Sequence, residues 1–275
     1  MTSFGARLHQ AMQARGPLCV GIDPHASLLA GWGLGDDIAG LETFARVAGE
    51  ALGPEVSVVK PQSAFFERFG SRGLAVLEQL CADLRAAGTL VLLDVKRGDI
   101  GSTSQAYADA YFGATSTLAV DAITVSPYLG FGSIQPMIDT ALANNAGLFV
   151  LAMTSNPEGP QFQLARTESG RTVGGTVLDE LAALNADAAP LGSLGAVVGA
   201  TLADTGESFD FNGPILAPGV GAQGGTPADV RRIFGAAAAN VLPSSSRDIL
   251  RAGPDVAALR EAARRVNGAF AEALS

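Results

Sequence analysis

Two cysteines, two histidines and two lysines in 275 residues leave little room for several kinds of chemistry. Cys19 and Cys81 are too few for a disulfide framework and lack the spacing of metal ligands. With only His9 and His25 beside them, a zinc site would require an unusual ligand set. Positive charge is scarce too: 18 Lys and Arg stand against 27 Asp and Glu, a formal net charge of −9. That balance excludes a nucleic-acid footprint and an anionic membrane surface, so a phosphorylated ligand would have to be held by local features. The longest uncharged stretches, 140–157 and 188–203, contain Asn, Pro or Gly and are too polar to span a bilayer. The first 17 residues carry no apolar signal core; Phe4, Leu8 and Met12 recur every four residues, as in a short helix. The expectation is a cytoplasmic protein with one domain over residues 1–275.

The scarcity of lysine is itself a signal. Sixteen of the basic residues are Arg, leaving Lys60 and Lys96 alone. Arg stays protonated at any relevant pH, whereas Lys can donate a proton or form a Schiff base. The two lysines are therefore candidates for chemistry.

What is present is a repeated alternation. Eight apolar runs rich in Val, Ile and Leu lie at 18–22, 56–60, 89–96, 121–126, 147–154, 195–200, 214–220 and 239–244. Each is short and continuous, as parallel strands buried on both faces require. Helices are predicted between them over 41–52, 73–87, 102–112, 131–143, 173–186, 226–239 and 254–274. Gly88 sits where a C-terminal cap belongs, and Thr226-Pro227 reads as an N-cap followed by a first-turn proline. Segment 201–213 leaves room for little more than one turn. Eight strands alternating with helices over about 250 residues predict an α/β fold, a (β/α)8 TIM barrel. A doubly wound open sheet would carry a Gly-rich turn after its first strand, but here Asp23-Pro24-His25 follows.

In such a barrel, polar residues at the C-terminal strand ends face the active site. Those ends hold Asp23, Lys60, Asp94 with Lys96, Ser126, Thr154 with Ser155, Thr201, the loop after Gly219, and Ser244–Arg247. Both lysines fall on this rim. Asp94 and Lys96 are two apart, which points them to one side and Val95 and Arg97 to the other, with Asp99 on the turn beyond. An ammonium between two carboxylates favours its protonated form. It is a poor Schiff-base nucleophile, suited instead to donating a proton or facing a forming carbanion. The loop Ala217–Gly225 is rich in Gly and Pro and lets backbone approach a ligand, and the helix starting at Thr226-Pro227 could turn free N–H groups toward an anion. Ser244-Ser245-Ser246-Arg247 adds hydroxyls and a guanidinium, so these two loops together predict a phosphate site. Asp23 serves either as a ligand group or as a helix cap; His25 is expected on the surface.

The run Asp94-x-Lys96-x-x-Asp99-Ile100 resembles the signature of orotidine 5′-phosphate decarboxylases, and Pro218–Gly225 is similar to that family's phosphate loop. The likeness covers about residues 18–250. Val125–Tyr128 and Thr154–Pro157 resemble the longer bacterial branch that includes mycobacterial enzymes. The resemblance implies decarboxylation of orotidine 5′-monophosphate (OMP) to uridine 5′-monophosphate (UMP), the last step of pyrimidine nucleotide synthesis, with no metal or organic cofactor. It implies that Lys96 protonates C6 of the pyrimidine, that Asp94 sits beside the departing carboxylate, and that Lys60 and Asp23 hold ribose hydroxyls and orient the charged cluster. Ser155 would contact the pyrimidine, and Gln223, Gly224 and Arg247 the phosphate. Asp99 and Thr103 would reach the neighbouring subunit's site, making the working form a homodimer. Three other readings compete. A magnesium-dependent keto-sugar-phosphate decarboxylase of the same superfamily would need a metal-binding carboxylate where Lys60 stands; a Schiff-base aldolase is disfavoured by the carboxylates near Lys96. The third is a barrel that binds nucleotides without catalysis.

Overall fold

All eight apolar runs form strands: β1 (Cys19–Ile22), β2 (Val58–Pro61), β3 (Leu90–Arg97), β4 (Ala122–Val125), β5 (Gly147–Met153), β6 (Leu194–Val198), β7 (Ile215–Pro218) and β8 (Val241–Ser245). Each pairs in parallel with the next, and β8 returns to β1, closing the barrel. The computed structural model describes residues 2–203, 205–221 and 224–274. The helices are α1 (Phe4–Arg15), α2 (Ala26–Gly31), α3 (Ile38–Leu52), α4 (Ala64–Glu67), α5 (Gly70–Ala86), α6 (Gly101–Phe112), α7 (Gln135–Ala143), α8 (Pro160–Gln163), α9 (Val173–Asn185), α10 (Pro227–Phe234), α11 (Arg247–Leu250) and α12 (Val256–Leu274). Together they give the (β/α)8 barrel that the alternation predicts.

Two residue sets, interleaved at every second position, explain both layers of the core. Outward-facing Val20, Val59, Val91, Leu93, Ile123, Val150 and Ile215 pack with the surrounding helices. Inward-facing Cys19, Val58, Leu90, Leu92, Ala122, Phe149, Val197, Leu216 and Leu242 meet one another inside the barrel, with Phe4, Leu8 and Met12 of α1. The helix predicted at the N-terminus thus plugs the barrel floor. Ser3 caps it by accepting from the Ala6 N–H, and the Phe4 ring stands edge-on to Phe149 at 6.2 Å. Gly147 makes space for that ring, since a Cβ there would collide with it. Arg7 fixes the helix to the barrel by donating to Asp121 at 2.6 Å and to the Asn145 carbonyl at 2.9 Å. With the floor closed, the mouth is the accessible end of the barrel interior.

Several helix boundaries differ from the sequence pattern. The helix expected over 226–239 stops at Phe234, where Gly235 adopts φ +50, and a 3-10 turn (Gly235–Asn240) completes the crossover. A similar 3-10 turn (Phe131–Ile134) precedes α7. Between β6 and β7 the described residues contain no helix, in keeping with the Thr, Gly and Asp of that segment. Among the described residues no helix is long and apolar enough to cross a membrane.

Candidate active site

One step further up the inward rows of β2, β3, β4 and β8, the side chains turn polar. Lys60 follows Val58, Asp94 follows Leu92, Thr124 follows Ala122 and Ser244 follows Leu242. They line a cavity of about 380 Å³ whose base is apolar Leu151, Val197 and Leu216. Water-poor walls beneath a set of charges strengthen every interaction among them.

The charges form one connected cluster. Asp94 receives Lys60 Nζ at 3.0 Å on Oδ2 and Lys96 Nζ at 2.5 Å on Oδ1. Thr124 Oγ1 donates to the same Oδ1 at 2.8 Å and accepts from the Val95 and Lys96 N–H groups at 3.1 and 2.9 Å. Lys60 also donates to Gln62 Oε1 at 3.1 Å. The sequence suggested an ammonium between two carboxylates; the structure has a carboxylate between two ammonium groups. Asp99 is not the second partner of Lys96, because the turn directs its Oδ1 to the Ile100 N–H at 2.8 Å. Asp94 and Lys96 do face the same side, but not on a regular strand. The β3–β4 register shifts between Leu93 and Arg97, and Lys96 takes φ +44, a conformation that costs a non-glycine residue about 1–3 kcal/mol. Arg97 turns outward as expected, to Glu67 at 2.8 Å and the Tyr111 hydroxyl at 3.2 Å.

Exposure separates the two lysines. The side chains of Lys60 and Asp94 are 7% and 8% exposed, whereas that of Lys96 is 46% exposed. Burial by itself would raise the Asp94 carboxyl, but the Lys60 and Lys96 ammonium groups and their hydrogen bonds outweigh it and hold Asp94 well below the usual carboxylate range. Burial likewise favours a neutral Lys60, and the opposing pull of Asp94 and then Asp23 raises it above the usual lysine value. Burial pushes the nearby Cys19 thiol up to about 12, so a neutral sulfur lies close to Lys60. Lys60 is locked in place to hold Asp94 ionised; Lys96 is the ammonium whose head reaches the open cavity.

Across the cavity, Asp23, His25, Gly219, Ser246 and Arg247 complete the wall. Asp23 Oδ1 and Ser246 Oγ are buried with no hydrogen-bond partner among the described residues. A buried unpaired oxygen costs about 1–3 kcal/mol, and both of these belong to residues that line the cavity, within reach of whatever it binds. Of the two readings of Asp23, the helix cap falls away, since the N-cap of α2 is His25; its carboxylate faces the cavity instead. His25, expected on the surface, lines the cavity with its ring 4.2 Å from that of Phe65. At the start of the helix after the glycine-rich loop, the Thr226 and Asp229 N–H groups are already taken and Pro227 has none. Thr226 and Asp229 close its first turn in a reciprocal capping box, with a carboxylate where the anion would sit. The cavity wall there is formed by Pro218, Gly219 and Val220 instead, with Gly219 at φ +99.

Asp99, Thr103, Ser155 and Gly224 are not among the described residues that line this cavity. Thr103 is exposed on α6, and Asp99 sits on the preceding turn. Ser155 is exposed beside Gly199, while its neighbour Thr154 lines the cavity. Gly224 takes φ +93 and donates its N–H to the Gly221 carbonyl at 2.7 Å, and Gln223 lies outside the described residues. Sequence reasoning missed Gln62 and Thr124. Both were reachable by alternation, since Thr124 stands two residues past inward Ala122 on β4 and Gln62, just beyond the end of β2, two past Lys60.

A closed parallel barrel with a carboxylate between two ammonium groups at its mouth, and serine, glycine and arginine facing them, defines a (β/α)8-barrel enzyme. The chain belongs to the orotidine 5′-phosphate decarboxylase / HUMPS family, whose profile matches residues 16–262. An orotidine 5′-phosphate decarboxylase of Nocardioides sp. is 70% identical over 260 residues, covering 93% of this chain and 95% of that protein. The crystal structure of a candidate orotidine 5′-phosphate decarboxylase from Streptomyces avermitilis shares 61% identity at a TM-score of 0.98, covering 100% of this chain and 96% of that one. UMP synthase of Leishmania donovani is 32% identical with a TM-score of 0.77; the match covers 98% of this chain and 57% of that one.

Proposed function

We propose that this protein is a carboxy-lyase that converts OMP to UMP and carbon dioxide in pyrimidine nucleotide synthesis, and that it works in the cytoplasm. The Lys60–Asp94–Lys96 cluster at the cavity carries this reading. Breaking the bond from C6 to the carboxylate leaves its electron pair on C6, in a ring that delocalises it poorly. A preorganised ammonium beside C6 stabilises that charge, and Lys96 then passes a proton to the carbon and regains one from solvent. Asp94 stands beside the departing carboxylate, and Lys60 and Thr124 keep it charged and aimed. Asp23 takes ribose hydroxyls, Ser155 the pyrimidine, and Arg247, Gln223 and Gly224 the phosphate. Contacts to the distant phosphate help to close loops and seat the ring. Enzymes lower barriers by about 8–23 kcal/mol, and this reaction needs the upper part of that range.

The chemistry is read as independent of metal. An ammonium 3.0 Å from Asp94 occupies the ground a divalent cation would need in the keto-sugar-phosphate alternative. The test is ultraviolet monitoring of OMP with purified protein, before and after exhaustive EDTA treatment. Undiminished conversion to UMP is expected. Loss of activity restored by magnesium would favour the sugar-phosphate reading, and binding without turnover would favour the non-catalytic one.

The working form is read as a homodimer in which Asp99 and Thr103 serve the partner's cavity. The loops after β3 and β4 are neighbours, joined by the Ser126 N–H to the Arg97 carbonyl at 2.7 Å. They carry the exposed apolar side chains Ile100 (61%), Tyr128 (74%) and Leu129 (55%), as a contact surface would. Mixing Lys96→Ala and Asp99→Ala subunits, each inactive alone, is expected to regenerate activity, because a mixed dimer holds one intact site. No recovery after verified subunit exchange would put Asp99 in its own chain's site.

A further inference from the structure

The loop after β5 folds back on the strand it leaves, and one side chain makes the connection. Gln163, the last residue of α8, accepts the Thr154 N–H on Oε1 at 2.8 Å and donates from Nε2 to Thr154 Oγ1, also at 2.8 Å. Thr154 Oγ1 in turn donates to Asn156 Oδ1 at 2.6 Å. Thr154 is the first residue beyond β5, where the backbone N–H leaves the strand ladder and needs another acceptor. Buried Gly159 fits beneath this pair; a Cβ there would press on both Gln163 Oε1 and Thr154 Oγ1. The same helix is held to the β4 loop by the Phe162 ring, 5.7 Å from that of Tyr128. Thr154 lines the cavity, and Gln163 does not.

We infer that Gln163 is a positioning residue: its two-point clamp on Thr154 makes the shape of the cavity at the end of β5 depend on the folded state of the loop 155–172. The inference rests on the substrate reading above, in which Ser155, next in the chain, meets the pyrimidine while Arg247 holds the phosphate on the other side. The clamp therefore acts on recognition of the base and not of the phosphate.

The test compares UMP with ribose 5-phosphate, which keeps the phosphate and lacks the base, by calorimetric titration of the full chain. Gln163→Ala is expected to raise the Kd for UMP about tenfold, because the end of β5 must then be ordered when the base binds, and to leave that for ribose 5-phosphate within about twofold. Gly159→Ala, whose helical backbone tolerates a side chain, spreads the clamp without deleting it and is expected to act in the same direction; it serves alone if Gln163→Ala does not fold. Equal losses for both ligands, or no loss for UMP in a folded variant, would overturn the inference. Failure of the parent protein to bind UMP would overturn the substrate reading itself and this inference with it.

Discussion

Replacing Lys96 with alanine is expected to reduce UMP formation by about 10⁴-fold or more while leaving the barrel folded, because two contributions vanish together. Proton donation from a positioned side chain supplies about 10²–10⁴ in rate. Electrostatic stabilisation of the forming carbanion by a preorganised charge is commonly the larger effect. The loss of fold is small because the Lys96 head is half-exposed and Asp94 retains Lys60 and Thr124 as partners. Relief of φ +44 does not follow from the substitution, since alanine meets the same steric limit. Steady-state turnover measured beside a thermal melt separates the two effects.

Asp94→Asn is expected to harm both activity and stability. Removing one partner of a buried ion pair leaves the other uncompensated and costs about 3–5 kcal/mol, and here Lys60 is left in an almost closed site. For a chain of this size that lowers the melting temperature by about 10 °C. Turnover falls by about 10²–10³-fold, the loss seen when one preorganised group of a charged site is removed. The pH dependence has a definite sign. The folded carboxyl of Asp94 lies below its unfolded value, so its stabilisation is full above the ordinary carboxylate value of about 4 and fades as the pH falls below it. Lys60 is displaced upward, so its share is full below about pH 10 and fades as the pH rises past that point. Both arms describe one interaction. Melts from pH 7 down to 3 should therefore fall more steeply for the parent than for Asp94→Asn; parallel curves would mean that the pair contributes little to folding.

The barrel was legible because closure leaves a strong imprint: all eight apolar runs became strands, and the inward and outward sets follow from alternation along each one. Lys60, Asp94 and Lys96 stood out by chemical rarity and by position at strand ends. Their arrangement was less legible. Sequence spacing joined Lys96 to Asp94 and Asp99, but the cluster is built between strands, with Lys60 on β2 reaching Asp94 on β3 and Thr124 on β4 reaching the same carboxylate. Which carboxylate an ammonium meets depends on strand register, and the β3–β4 register is shifted at this point. The capping box of α10 shows a different kind of limit. Thr226 and Pro227 were visible as helix-start residues, yet a first turn closed by Asp229 and one open to an anion share that beginning. The clamp of Gln163 on Thr154 joins residues nine apart across a loop and has no periodic signature at all.

The account stands on an ammonium that gives up a hydrogen, and not on positive charge alone. Chemical rescue of Lys96→Ala measures this directly. Turnover of OMP by that variant is predicted to rise with added methylammonium, which carries both charge and a transferable proton, and to stay flat with tetramethylammonium, which carries only charge. Equal rescue by the two cations, or UMP formation at the parent's rate with neither present, would contradict it.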